Sequence, residues 1–294
     1  MIFMEHLFDS LYDNGFIRIA VLDGKTCGIV KNRLILCFIP YEAAVPSITI
    51  REAVIHRYYP VSQKAYNTVR LFARECQTQG IDMTVDSSIH IKNLLDRLPF
   101  LKKGRNTLSY FHDYGSRFHV QVLTSDDDRI PITDWPDLKS HDIMCGECRK
   151  CIKSCPSGAI QTEGFVKERC LRYWMLSGKL PPEEIALQMG NRLIGCDECE
   201  ACCPQNPSGT GDTIFVPIRD ILENYRSLNL CDMIGKNYAI PNRITAQACI
   251  IAGSLKRTDL KDSIQNIFRN HPSPICHQAA EIALGMINNV TTED

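Results

Sequence analysis

The residues with the most chemistry in this chain are cysteines, and their spacing narrows what they do. One run reads Cys145-x2-Cys148-x2-Cys151-x3-Cys155-Pro156; a second reads Cys196-x2-Cys199-x3-Cys203-Pro204, with Cys170 alone between them. Three thiolates spaced this way wrap one iron–sulfur cube from a tight loop, while the fourth, followed by proline, turns toward a second cube. The second run supplies the reversed half that such a pair requires. The spacing therefore predicts two 4Fe–4S clusters, one on Cys145, Cys148, Cys151 and Cys203, the other on Cys155, Cys170, Cys196 and Cys199. Cys202 rivals Cys203 as the last ligand, and Pro204 favours Cys203 because it repeats the Cys155-Pro156 arrangement.

Disulfides and zinc are the competing readings. Disulfides persist in oxidising compartments, and the first residues show no basic region, apolar stretch and cleavage site. Four-cysteine zinc sites show two separated Cys-x2-Cys pairs rather than four cysteines in one short run. Cys27, Cys37, Cys76, Cys231, Cys249 and Cys276 are scattered and read as small buried hydrophobes.

The elements that must hold these ligands can be read from periodicity. The chain has 294 residues and is 44% hydrophobic, enough for a proper core. A formal net charge of −1 excludes a global field that would attract nucleic acid or an anionic membrane. No apolar run approaches the ~20 residues that span a bilayer, so no membrane partner is expected. Helices are expected over 5–12, 64–79 and 89–98, and strands over 16–21, 33–40, 81–86 and 118–124. The near-continuous apolar run Leu34-Ile35-Leu36-Cys37-Phe38-Ile39 suits a strand buried on both faces.

Strands alternating with helices point to an α/β N-terminal domain over 1–138. A ferredoxin-like double-cluster domain over 139–212 follows, with helices over 166–177 and 182–189. Residues 213–294 form a short all-α tail with helices over 242–254, 259–268 and 275–287. Its texture suits one HEAT-like repeat packed on the cluster domain, or a plain helical cap. Basic residues gather at Lys102, Lys103 and Arg105, at Lys167, Arg169 and Arg172, and at Lys256, Arg257 and Lys261. Any of these could meet phosphates, and each could equally be solvated surface.

With these residues in view, the chain resembles the epoxyqueuosine reductases, cobalamin- and iron–sulfur-dependent enzymes that finish queuosine in tRNA. The most specific stretch is Gly190-Asn191-Arg192-Leu193-Ile194-Gly195-Cys196-Asp197-Glu198-Cys199, with Cys203-Pro204-Gln205-Asn206 after it. Gly104-Arg105-Asn106-Thr107-Leu108, Tyr114-Gly115-Ser116, Leu123-Thr124 and Ile39-Pro40-Tyr41 resemble further family stretches. The resemblance implies cobalamin contacts at Arg57, Tyr58, Gly104, Arg105, Asn106, Thr107, Gly115, Ser116, Asn191 and Arg192. It also implies tRNA as a partner and electrons from a donor such as a ferredoxin or flavodoxin. A cytoplasmic monomer is expected.

Val85-Asp86-Ser87-Ser88 resembles the segment with the family's proton-donating aspartate. The resemblance implies that Asp86 is a general acid, with its pKa raised by desolvation. Spacing alone reads Asp86 as the cap of a helix starting near Ser88.

The chain departs from the pattern in places. Arg105 stands for the family's lysine, the preceding Gly-x-Gly-Trp is absent, and the Arg-Tyr-x-x-Gly-x-Asp-Tyr-His segment survives only as Arg57-Tyr58-Tyr59-Pro60 and Tyr66-Asn67. Two alternatives follow: a paralogue that reduces another substrate, or a ferredoxin-type electron carrier without corrinoid. A non-catalytic partner of tRNA or of a corrinoid protein is a third.

Overall fold

The computed structural model describes residues 6–43, 49–133, 144–209 and 211–288. Contacts divide the chain into two units. The first comprises Met1–Glu42, Pro60–Cys148 and Pro204–Pro207; the second comprises Ala43–Tyr59, Arg149–Cys203 and Ser208–Asp294. The expected boundary at 138/139 lies outside the described residues.

The first unit is built on a four-stranded sheet in the order Arg18–Asp23, Arg33–Pro40, Phe118–Ser125, Thr84–Val85. Every pairing in it is antiparallel. Strands alternating with helices are usual in parallel sheets, but here the first two strands join by a short loop. Such a loop can only return the chain antiparallel.

Arg33–Pro40 is buried along its middle six residues, as its apolar run requires. The pleat sends Ile35, Cys37 and Ile39 to one side, among Val69, Phe72 and Ala73. It sends Leu34, Leu36 and Phe38 to the other, among Leu98, Leu101, Phe111 and Phe118. Phe38 sits edge-on to Phe111 with centroids 5.3 Å apart, a favoured aromatic arrangement.

The helix over Tyr58–Thr78 begins earlier than its periodicity suggested. Pro60 falls in its first turn, where an N–H has no intrahelical acceptor, so the ring costs nothing there. The expected strand over 81–86 shortens to Thr84–Val85, and the expected helix over 89–98 to Lys92–Leu95. Lys102–Lys103 and Ser109–Tyr110 pair as a small hairpin, with residues 104–108 as its loop.

In the second unit, Glu52–Ile55 pairs parallel with Arg192–Ile194 and antiparallel with Ile214–Pro217. Distant stretches of chain thus meet in one sheet that leads directly into Cys196. The helices Pro241–Ser254, Lys261–Asn270 and Pro274–Asn288 follow. Ile244, Ile251, Ile264 and Ala283 share one apolar core with Leu171, Met175, Leu193 and Ile194 from the cysteine segment. A Cβ on Gly253 would stand 2.7 Å from the Ala283 Cα, so only glycine allows this helix pair its close approach. Among the described residues, no helix is long and apolar enough to cross a membrane.

Candidate metal centre

The second unit gathers Cys155, Cys170, Cys196 and Cys199, the four ligands expected for one cluster. The strand Arg192–Ile194 delivers the chain to Gly195, whose φ of 93° lies in the left-handed region. A Cβ there would stand 2.4 Å from that of His56, so glycine alone allows Cys196 this position. Cys199 lies in the one-turn helix Glu198–Ala201, and Cys170 precedes the helix Leu171–Ser177. The backbone N–H of Ala159 donates to the Cys155 Sγ at 3.2 Å, as cluster thiolates commonly accept.

Burial and neighbouring sulfurs act together on the thiols of Cys196 and Cys199. Burial pushes the Cys196 thiol up to about 11; the Arg192 guanidinium pulls the other way, and the Cys170 thiolate adds repulsion. Burial raises Cys199 further, and Cys196, Glu200, Cys170 and Cys155 all disfavour its charge. Half-buried thiols such as Cys196 and Cys199, whose charged forms burial and neighbouring sulfurs disfavour, are a poor anion site but a good cation site. Iron would supply the positive charge that lets them ionise. The residues present therefore fit a 4Fe–4S cluster.

The other expected ligands show local geometry of the same kind. Cys145 and Cys148 lie in the first unit, and Cys151 and Cys203 in the second. The Cys148 N–H donates to the Cys145 carbonyl at 2.9 Å, closing the tight turn that the spacing requires. Cys151 is buried on the helix Lys150–Ser154. The Cys202 thiol is raised by burial and hydrogen-bonds the Ser154 side chain.

The residues tied to cobalamin by resemblance are mostly engaged within the protein. Gly104 to Thr107 form the hairpin loop, where the buried Asn106 donates to the Tyr110 hydroxyl at 2.7 Å. The Arg105 N–H donates to the Cys145 Sγ at 3.3 Å. This contact links residues 40 apart in the chain, so no local pattern signals it. Gly115 bridges to Phe111, and the Ser116 N–H donates to Asn206 Oδ1 at 2.7 Å.

Asn191 donates to the carbonyls of Thr49 and Glu52, both at 3.2 Å, and Arg192 pairs with Glu198. Arg57 donates through Nη1 to the Asp212 carbonyl at 2.7 Å, while its buried Nε has no partner among the described residues. Tyr58 lies under the Arg172 guanidinium, 4.6 Å from its ring centroid, and burial raises its pKa.

Two expectations for Asp86 are corrected: its pKa is lowered rather than raised, and it caps no helix near Ser88. It is half-buried, and Ser88 donates to its Oδ1 from both Oγ at 2.6 Å and N at 2.9 Å. These bonds hold its carboxyl below the usual range, reversing the expected rise. The next helix starts only at Lys92, so Asp86 braces a bend rather than a helix.

The basic clusters are also partly spent. Lys103 pairs with Asp96, Arg172 covers Tyr58 and Tyr59, and Lys256 donates to the Met286 carbonyl. Arg257 is buried and pairs with Asp259 at 2.6 Å.

Comparison with known proteins agrees with this geometry. Residues 144–206 match the 4Fe-4S double cluster binding domain. The chain is 35% identical over 106 residues to an epoxyqueuosine reductase of Francisella cf. novicida, covering 35% of this chain and 28% of that protein. It is 30% identical over 230 residues to the epoxyqueuosine reductase of Bacillus anthracis, covering 70% of this chain and 57% of that protein. The alignments thus span between about a quarter and three fifths of these relatives' own length. The fold is shared with an epoxyqueuosine reductase solved with a tRNA-Tyr epoxyqueuosine-modified stem loop: TM-score 0.73 at 17% identity, over 96% of this chain and 89% of that one.

Proposed function

We propose that this chain is an iron–sulfur and cobalamin-dependent reductase acting on epoxyqueuosine in tRNA. The convergence of Cys155, Cys170, Cys196 and Cys199 within a double-cluster domain carries the reading. The similarity to epoxyqueuosine reductases supplies the substrate. In this reading the cluster on those four thiols has a partner on Cys145, Cys148, Cys151 and Cys203, with Cys202 left to Ser154. Electrons enter from a ferredoxin or flavodoxin in a reducing cytoplasm, and the chain works as a monomer.

Residues 1–138 hold cofactor and substrate, 139–212 the clusters, and 213–294 a HEAT-like tail that meets tRNA. The orphaned Nε of Arg57 suits an acceptor oxygen on the corrinoid's rim. Cobalamin, when bound, would supply low-potential cobalt for the two-electron, two-proton loss of the epoxide oxygen as water. Asp86 donates one of those protons. As an ordinary carboxylic acid it is ionised at neutral pH, so substrate must displace Ser88 and desolvate the carboxyl first.

The internal bonding of Asn106, Ser116, Asn191 and Arg192 favours a second reading, electron transfer without corrinoid. Anaerobic reconstitution followed by addition of cob(II)alamin separates the two. An EPR spectrum of stoichiometrically bound, base-off cobalamin supports the reductase. Free cobalamin alone gives the lead to electron transfer.

A further inference from the structure

We propose that Arg105 sets the redox potential of the cluster that Cys145 ligates, by charge and by holding the hydrogen bond on its sulfur. The inference rests on the cluster assignment above and on nothing about corrinoid or tRNA.

Arg105 sits on the loop of the Lys102–Lys103/Ser109–Tyr110 hairpin. Its N–H donates to Cys145 Sγ at 3.3 Å, its Nη2 donates to the Gly146 carbonyl at 2.9 Å, and its buried Nε has no partner among the described residues. Next to it, the Met144 N–H donates to the Lys103 carbonyl at 3.0 Å. The start of the first cysteine run is thus laid along this loop.

The loop is made rigid for the purpose. Gly104 N donates to the Leu108 carbonyl at 2.8 Å, and Thr107 N to the Gly104 carbonyl at 3.0 Å. Asn106 joins the Tyr110 hydroxyl to the Leu108 N–H. These bonds hold Thr107 at a φ of 66°, a conformation a β-branched residue rarely adopts unaided.

Reduction adds one electron to a cluster and makes its sulfurs more negative. An N–H bonded to a ligand sulfur favours the reduced form, as does a guanidinium that stays charged at every working pH. Both raise the potential. A lysine keeps the charge but lacks the planar fork that reaches the Gly146 carbonyl while leaving a second donor turned elsewhere.

The test is an EPR-monitored redox titration of corrinoid-free protein with reconstituted clusters, comparing wild type with Arg105→Ala, Arg105→Lys and Tyr110→Phe. Arg105→Ala should lower the potential of one cluster and leave the other unmoved. Arg105→Lys should recover part of the shift, and Tyr110→Phe should give a smaller shift of the same sign. If Arg105→Ala takes up less iron, the other two variants decide the matter.

Unchanged potentials in variants with full iron content overturn the proposal, leaving Arg105 as a structural tie seen only in a lower Tm. Unchanged potentials with weakened cob(II)alamin binding overturn it in favour of a corrinoid contact. A wild-type protein that assembles no 4Fe–4S cluster removes both this proposal and the cluster assignment.

Discussion

The thiols around Cys199 and the carboxyl of Asp86 are both titratable groups marked out by their sequence neighbours, yet the fold treats them in opposite ways. Burial drives Cys196 and Cys199 up, toward their neutral forms. Asp86 is half-buried, and two bonds from Ser88 hold it down, toward the form that is already charged. The first pair is desolvated by folding itself. The second keeps its carboxylate paired with its own loop, so any desolvation must come from what binds. Folding thus disfavours charge on the two thiols and favours it on the carboxyl.

The largest effect that would sharpen this contrast is the loss of a cluster thiol. Cys199→Ser should reduce iron from ~8 to ~4 per chain in reconstituted protein and abolish turnover, as expected when one of two four-iron clusters is lost. Metal analysis alone checks it, and full iron retention would break the four-thiol grouping.

Asp86→Ala should come next, lowering reduction of an epoxyqueuosine stem loop by ~10²–10⁴-fold, the usual share of a general acid, with iron content unchanged. Turnover at the wild-type rate would end its role as proton donor.

The smallest effect concerns Ser88. A carboxyl whose folded pKa is depressed contributes stability above its unfolded pKa and loses it as pH falls through the folded value. Ser88→Ala removes the hydroxyl bond, the larger of the two that depress Asp86, and leaves the backbone N–H bond in place. The variant should therefore melt slightly below wild type at pH 7, with the gap closing as both carboxyls protonate in acid. A gap that does not change between pH 7 and pH 2.5 would mean Ser88 acts by packing alone.

Much of the metal centre was legible in the chain because cluster ligation depends on short spacings and turn residues. Cys155, Cys170, Cys196 and Cys199 were grouped by that logic; all four lie in the second unit, and the other three bear electrostatically on Cys199. The apolar run over Arg33–Pro40 likewise announced a strand buried on both faces. Other features were hidden because their partners are remote. Nothing near Arg105 suggests Cys145, and nothing near Asn191 suggests Thr49 and Glu52. Three basic clusters looked equivalent in sequence, yet Arg257 is buried against Asp259 and Arg172 covers a pair of tyrosines.

By itself the sequence determined what depends on neighbours a few bonds away: two cysteine runs with cluster spacing, the helix and strand periodicities, and an apolar content sufficient for a core. Tertiary structure alone decided the antiparallel order of the first sheet, the burial that raises Cys196 and Cys199, and the loop that brings Arg105 to Cys145. The reason is physical. Ligand spacing and periodicity are short-range properties of a chain, whereas dielectric surroundings and hydrogen-bond partners arise only when distant segments pack together.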